Sequence, residues 1–363
     1  MKSLDKIQAV IRRKGVDALL VTQPENRRYL SGYTATDLSI GESSGILLVP
    51  GRGTPFLLTD SRYQLQAEKE AADFEVVLLQ SSLLRALNRI LRRLGFRRLA
   101  FESHYLLHHA AMKLIDLGQK LGTEMIPVTG MVEKLRTRKS PEEIEKIRQA
   151  VFLNEEVFHE VYANLKPGQT EREVALAIES AMMQKGAEAV AFPTIVAAGP
   201  NAALPHAVPT ERAINEGETV IIDMGLKLDG YCSDMTRTVV LGKPDRNTIK
   251  IIRLVRKAQR AALKTIKAGI LVREADRAAR EVISRAGYGK HFGHGLGHGV
   301  GLAVHEAPSL NRMRRNKLRA GMVVTVEPGI YLQGWGGVRL ENMVVVKEKG
   351  CTILNRDKTF LDL

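Results

Sequence analysis

The second half of this chain repeats itself, and the repeat limits its folds more than any other feature. Residues 165–186, LKPGQTEREVALAIESAMMQKG, align with residues 266–287, IKAGILVREADRAAREVISRAG. Lys166/Lys267, Gly168/Gly269, Glu173/Glu274, Ala177/Ala278 and Gly186/Gly287 coincide. Further on, GETVIIDMG (217–225) aligns with GMVVTVEPG (321–329), which sets Asp223 over Glu327. Each copy reads as two helices followed by a β-hairpin. Such a unit cannot bury its apolar face alone, so the two copies are expected to face one another and build a shared site.

The repeat begins after a boundary near 136–141. Ser140-Pro141-Glu142-Glu143 is a helix start with Ser at N-cap, Pro at the first helical position and Glu completing a capping box. Ile144, Ile147, Val151, Val157 and Val161 continue an apolar stripe toward Leu165. At 363 residues there is room for two domains, and the division expected is 1–135 and 136–363. The first alternates helix and strand signals: helix over 3–14, strand over 17–22, two strands within 45–60, helix over 62–72, VVLL, helix over 82–94 and strand over 99–103. That alternation predicts an α/β domain. Neither a G-x-G-x-x-G nor a Walker sequence occurs, so nucleotide binding has no support.

Composition excludes several function classes. Apolar and charged fractions of 44% and 26% belong to an ordinary globular protein. Cys232 and Cys351 are too few and too isolated for a disulfide framework or a thiolate metal site, and they suit a reducing compartment. The N-terminal helix lacks the unbroken apolar core of a signal peptide, and no segment reaches the ~20 apolar residues that span a bilayer. A cytoplasmic location is therefore expected. The net charge of +14 gathers at Arg85, Arg89, Arg92, Arg93, Arg97 and Arg98, and again at Arg312, Arg314, Arg315, Lys317 and Arg319. With aromatic residues at only 5% and no recognition motif, these clusters read as solvated surface rather than a nucleic-acid interface.

The chemistry lies in four acids embedded in apolar strands. Asp229-Gly230 is a favoured two-residue turn. It pairs Leu228 with Tyr231 and Asp223 with Thr236, leaving Asp234 as the diagonal neighbour of Asp223 on the same face. In the second hairpin, residues 323–329 and 338–346 are strands joined across Tyr331–Gly337, which sets Glu327 opposite Glu341. Four buried unpaired carboxylates are too costly to keep; a cation between them removes the cost. A further ligand is expected from HFGHGLGHGVGLAVHE (291–306), where glycines at 293, 295, 297, 299 and 301 exclude a stable helix and suit extended backbone approached closely by a neighbour. An oxygen-rich set with one imidazole and no thiolate suits two hard or borderline divalent cations rather than a structural zinc.

Asp223 in IIDMG, Asp234 in CSDMTRT, His298 in HGLGHGVGL, Glu327 in TVEPG and Glu341 in GVRLEN together resemble the pita-bread-fold metallopeptidases, in the branch of prolidase and Xaa-Pro aminopeptidase. The resemblance covers 138–363, and the N-terminal α/β domain is similar to the creatinase-like domain of that branch. It implies an α+β pita-bread domain with an internal pseudo-two-fold repeat. Two divalent metals are implied, manganese foremost, with cobalt, iron or zinc compatible. By resemblance Asp223 chelates one metal, His298 and Glu327 hold the other, and Asp234 and Glu341 bridge them. His206, His294, His305 and Arg339 take supporting or substrate-binding roles. Glu327 is implied as proton shuttle and His294 or His305 as hydrogen-bond donor to the oxyanion. The substrates implied are small peptides with proline second, and the assembly a homodimer. Asn342 departs from the pattern, standing where many relatives have a second acid. The run 311–319 offers either an arginine fork for a dipeptide's carboxylate or a solvated loop. Competing readings are an inactive binding protein on the same fold, using its basic surface, and a metal-free amidinohydrolase. The intact ligand set argues against both. A methionine aminopeptidase would not need the N-terminal domain.

Overall fold

The computed structural model describes residues 2–80 and 82–359, in two units, Met1–Arg136 and Thr137–Leu363. The first contains, in chain order, α1 (Ser3–Arg13), β1 (Ala18–Val21), α2 (Pro24–Ser31), β2 (Ile46–Pro50), β3 (Phe56–Thr59), α3 (Gln64–Glu70), β4 (Glu75–Leu78), α4 (Leu83–Leu94), β5 (Arg98–Glu102), α5 (His108–Leu121), β6 (Glu124–Val128) and α6 (Glu133–Arg136). Its strands form one mixed sheet in the order β4-β3-β2-β1-β5-β6. Because successive side chains alternate faces, Leu19, Val21, Leu47 and Leu57 pack with Ile7 and Ile11 of α1 on one side. On the other side Leu20, Leu48 and Leu58 pack with Leu87, Ile90 and Leu91 of α4.

Four of these elements, α2, α5, β6 and α6, escape the sequence reading. The α2 helix buries Asn26 and Arg27 rather than an apolar stripe. Gly118 takes a buried position on α5, where a Cβ would lie 2.5 Å from the Thr123 carbonyl oxygen. Pro127 lies in β6, which tolerates it as an edge strand.

The second unit contains α7 (Pro141–Asn164), α8 (Glu171–Gln184), β7 (Ala189–Val190), β8 (Ile195–Ala198), β9 (Thr219–Met224), β10 (Leu226–Leu228), β11 (Tyr231–Cys232) and β12 (Met235–Val240). The second copy follows as α9 (Arg246–Thr265), α10 (Val272–Arg285), β13 (Gly297–Gly299), β14 (Glu306–Leu310), β15 (Val323–Val326), β16 (Gly329–Leu332), β17 (Gly336–Arg339), β18 (Asn342–Lys347) and β19 (Gly350–Ile353). In each copy the two helices pack behind the hairpin. Val157, Phe158, Val174 and Ile178 meet Val220 and Ile222 in the first. Ile251, Val255, Val272 and Ala279 meet Val324 and Val344 in the second. Among the described residues no helix is long and apolar enough to cross a membrane.

The capping box at Ser140 is present on α7: Glu143 N donates to Ser140 Oγ at 3.2 Å and Ser140 N to Glu143 Oε2 at 2.8 Å. Ser140→Ala is expected to cost about 1 kcal/mol, read in calorimetry as a midpoint lowered by a few degrees.

Candidate metal centre

The hairpins place the acids. Asp223 pairs with Thr236 and Leu228 with Tyr231, as the Asp229-Gly230 turn requires. The second hairpin is longer than the sequence suggests: its ladder continues beyond Tyr331↔Gly337 to Leu332↔Gly336, so the turn is tighter. Its regular pairing breaks where the ligands sit. Between Val326↔Asn342 and Gly329↔Arg339 the strands part. There Glu327 N donates to the Leu296 carbonyl at 2.8 Å and Glu341 N to the Thr236 carbonyl at 3.1 Å. The glycine-rich segment is extended at β13, as expected. It is neighbouring strands that approach it: a Cβ on Gly297 would lie 2.3 Å from the Thr325 carbonyl oxygen, and one on Gly299 2.4 Å from that of Ala307.

All nine residues named from the sequence, Asp223, Asp234, His298, Glu327, Glu341, His206, His294, His305 and Arg339, line one cavity of about 640 Å³. Ligand atoms of Asp234, His298 and Glu341 lie within 4.8 Å of one another. His298 Nε2 is 3.5 Å from Asp234 Oδ2 and 3.3 Å from Glu327 Oε1. Asp223 is drawn instead to Arg339, whose Nη2 donates to its Oδ2 at 2.6 Å. Two threonines orient the glutamates: Thr325 Oγ1 donates to Glu327 Oε1 at 3.0 Å and Thr236 Oγ1 to Glu341 Oε2 at 2.8 Å.

Burial and mutual charge shift the titration of these groups away from their ordinary values. Burial, and then the neighbouring charges of Glu341, Asp223 and Glu327, raises the Asp234 carboxyl well above its ordinary value. Burial followed by Glu327 and Asp223 does the same to Glu341. Burial pushes Glu327 up to about 8 although Arg339 opposes it. His298 is lowered to about 4, chiefly by burial and then by His305. Its Nδ1 faces the Gly299 carbonyl at 3.1 Å. A carbonyl can only accept, so Nδ1 carries the proton and the Nε2 lone pair points at two carboxylate oxygens. That lone pair is free to bind a cation, and a backbone carbonyl behind Nδ1 is the usual support of a metal-bound histidine. Asp223 Oδ1 and Glu341 Oε1 are buried with no hydrogen-bond partner among the described residues. The donor set therefore fits divalent cations.

Tyr331 completes the wall and is missing from the sequence reading. Its hydroxyl lies 2.9 Å from His294 Nε2 and accepts from Arg339 Nη1 at 2.9 Å. Burial raises its pKa to about 12. The signal was available: counting by two from Glu327 passes Gly329 to Tyr331 on the same face. Gly329 leaves room for the ring, since a Cβ there would lie 2.5 Å from the tyrosine oxygen. The hydroxyl donates to His294 Nε2, and His294 Nδ1 faces the Gly295 carbonyl at 2.8 Å. Both nitrogens of His294 are thus engaged. His305 stands edge-on to His298, ring centroids 4.3 Å apart, with no ring hydrogen bond among the described residues. Arg312, Arg314, Arg315, Lys317 and Arg319 are exposed, and none lines the cavity; Ser309 and Asn311 do.

Residues 145–348 match the model of metallopeptidase family M24, and residues 4–138 match the creatinase/prolidase N-terminal domain. The chain is similar to the solved Xaa-Pro dipeptidase from Bacillus anthracis, with TM-score 0.92, 35% identity, and 98% of this chain and 97% of that one covered. It is similar as well to the X-Pro aminopeptidase from Thermotoga maritima, with TM-score 0.88, 37% identity, and coverage of 96% and 97%. The Xaa-Pro dipeptidase of Pyrococcus horikoshii is 33% identical over 98% of this chain and 97% of that protein. The creatinase-like and pita-bread folds are therefore those expected. The chain belongs to metallopeptidase family M24 and carries the creatinase/prolidase domain ahead of its peptidase domain.

Proposed function

We propose that the chain is an exopeptidase that hydrolyses the bond between an N-terminal residue and proline, with catalysis in residues 136–363. The observation that carries this reading is the convergence of four carboxylates and the His298 Nε2 lone pair on one cavity. Its relatives include both an Xaa-Pro dipeptidase and an X-Pro aminopeptidase.

Asp223, Asp234, His298, Glu327 and Glu341 would hold two divalent ions, manganese foremost, which would supply Lewis acidity for the water and the scissile carbonyl. Glu327, oriented by Thr325 Oγ1, accepts the proton of the attacking water and passes it to the leaving imino nitrogen. His305 donates a hydrogen bond to the developing oxyanion. This role falls to His305 because Tyr331 and the Gly295 carbonyl occupy both nitrogens of His294, which then acts by fixing Tyr331 and, through it, Arg339. His206 meets the substrate at the cavity mouth, and the free amine lies near Asp223. Phe192, Pro193 and Ile195 supply an apolar wall for the pyrrolidine ring. A bond before proline has no N–H, so that wall needs no acceptor. The reading includes a homodimer and a cytoplasmic location, the latter supported by two free cysteines.

With manganese, Ala-Pro and Ala-Pro-Ala are the discriminating substrates. We expect alanine to be released from Ala-Pro and, because no arginine of 312–319 closes the cavity against a longer chain, from Ala-Pro-Ala as well. Cleavage of the dipeptide alone points to a carboxylate clamp other than that loop. If neither peptide is cut, the assignment fails.

A further inference from the structure

Arg237, next in the chain after the threonine that orients Glu341, is fully buried. Its Nη1 donates to the Glu341 carbonyl at 2.5 Å and to the Thr236 carbonyl at 3.0 Å. Its Nη2 donates to Asn342 Oδ1 at 3.2 Å, and its Nε to Asp357 Oδ2. Asp357 comes from the segment after β19, far along the chain, and is itself buried. The Glu155 carboxylate of α7 fixes that segment by accepting the amides of Arg356 and Asp357 at 2.8 and 2.9 Å. His159 Nε2 lies 2.8 Å from Asp357 Oδ1. A buried guanidinium needs a counter-charge, and Asn342, the side chain beside it on the strand, is neutral. Against the upward push of burial, Arg237 brings the Asp357 carboxyl down to about 2.

We propose that Asp357 and Arg237 are positioning residues of the metal centre: the Asp357 side-chain carboxylate fixes the guanidinium, and the guanidinium fixes the backbone of Glu341 so that its side chain faces Asp234 and His298. The tail thereby supplies from a distance the acid that Asn342 does not. This inference rests on the metal-site reading above. It separates Asp357 from a mere anchor of the tail, because an anchor would act through His159 and the backbone amides that Glu155 accepts, and not through Arg237.

The test is manganese binding by titration calorimetry on the full chain, with kcat and KM on Ala-Pro measured beside it. Asp357→Asn is expected to weaken manganese binding by about 10- to 100-fold, as loss of a group supporting a metal ligand does, and to lower kcat more than it raises KM. His159→Ala, which loosens the tail but leaves the Arg237–Asp357 pair, is expected to bind manganese as the parent does. The double variant Asp357→Asn/Asn342→Asp moves the acid onto the strand beside Arg237. It keeps the buried charge balanced, and it is expected to recover manganese affinity without recovering the parent's thermal midpoint. Should the single variant not fold, the double variant decides by itself: parental affinity supports the proposal, and lost affinity overturns it. Equal binding by the parent and Asp357→Asn also overturns it, as does equal weakening in His159→Ala. A parent chain that binds no manganese fails the metal-site reading itself, which is a different result.

Discussion

Asp234→Asn is expected to lower kcat/KM on Ala-Pro by about a thousandfold or more, equivalent to about 4 kcal/mol of transition-state stabilisation. The side chain keeps its shape, so packing around it does not change. What changes is that a carboxylate placed among Glu341, Glu327 and His298 becomes a neutral amide, and an amide is a poor ligand for a hard cation. The same substitution is expected to leave the metal-free protein equally stable or more so. It removes a charge that burial and three acidic neighbours disfavour. The two measurements pull apart readings that a single assay confounds. A structural role for Asp234 predicts that activity and metal-free stability fall together, whereas ligation predicts that activity collapses while the chelated protein melts no lower. Activity within tenfold of the parent at saturating manganese would sink the metal reading.

Chelated protein is expected to lose stability as pH rises from about 6.5 to about 8, and manganese is expected to abolish that loss. Glu327 titrates near 8 when folded against an ordinary 4.5, and Asp234 and Glu341 are raised in the same direction. Between these values the folded chain holds protons the unfolded chain has released, so stability declines with pH. His294 and His298 work oppositely. Each is lowered to about 4 from 6.5, so over that interval the unfolded chain binds more protons and stability climbs with pH. The two trends offset one another below about 6.5, and above it only the acids remain. A metal takes the place of the protons on these carboxylates and adds its own binding free energy, about 4 kcal/mol at a thousandfold excess over its dissociation constant. Thermal midpoints across pH 5–9, with chelator and with manganese, read both effects. A flat profile in chelator would mean that the acids are relieved by something other than the metal.

What the sequence discloses here depends on how local the cause is. A two-residue turn at Asp229-Gly230 sets a register, and that register carries Asp223 to Thr236 and Asp234 to its diagonal. The repeat transfers the argument to the second hairpin, so four acids become legible from turn chemistry and alternation alone. Tyr331 is equally legible by the same count, although as a neutral side chain it carries no charge pattern to mark it. The pair of Arg237 and Asp357 is of another kind. No periodicity links a strand residue to a tail residue far beyond it, and only the folded chain brings them together. Likewise α2 and α5 lack a strong apolar stripe, the first because it buries polar side chains and the second because Gly118 yields to the Thr123 carbonyl. The regional preference of 312–319 for solvent over the cavity depends on loop path, which residue types do not encode.

The outer edge of β12 has a consequence for how the chain avoids its own relatives in a crowded cell. In its sheet β12 pairs only with β9, so its other side is an edge, and a bare edge recruits stray strands. Here that side is occupied by side-chain bonds and, among the described residues, a single backbone bond from Glu341 N to the Thr236 carbonyl, rather than by a further ladder. Thr238 Oγ1 accepts from Arg339 N at 3.0 Å and donates to its carbonyl at 2.8 Å, while Glu341 N and Arg237 Nη1 share the Thr236 carbonyl. A foreign strand can offer amides and carbonyls at regular intervals, but it cannot match hydroxyl and guanidinium partners placed at these positions. The two copies of the repeat thus recognise each other through a lock made of individual residues. Mispairing between copies on different chains is discouraged at the same residues that hold Glu341 in place.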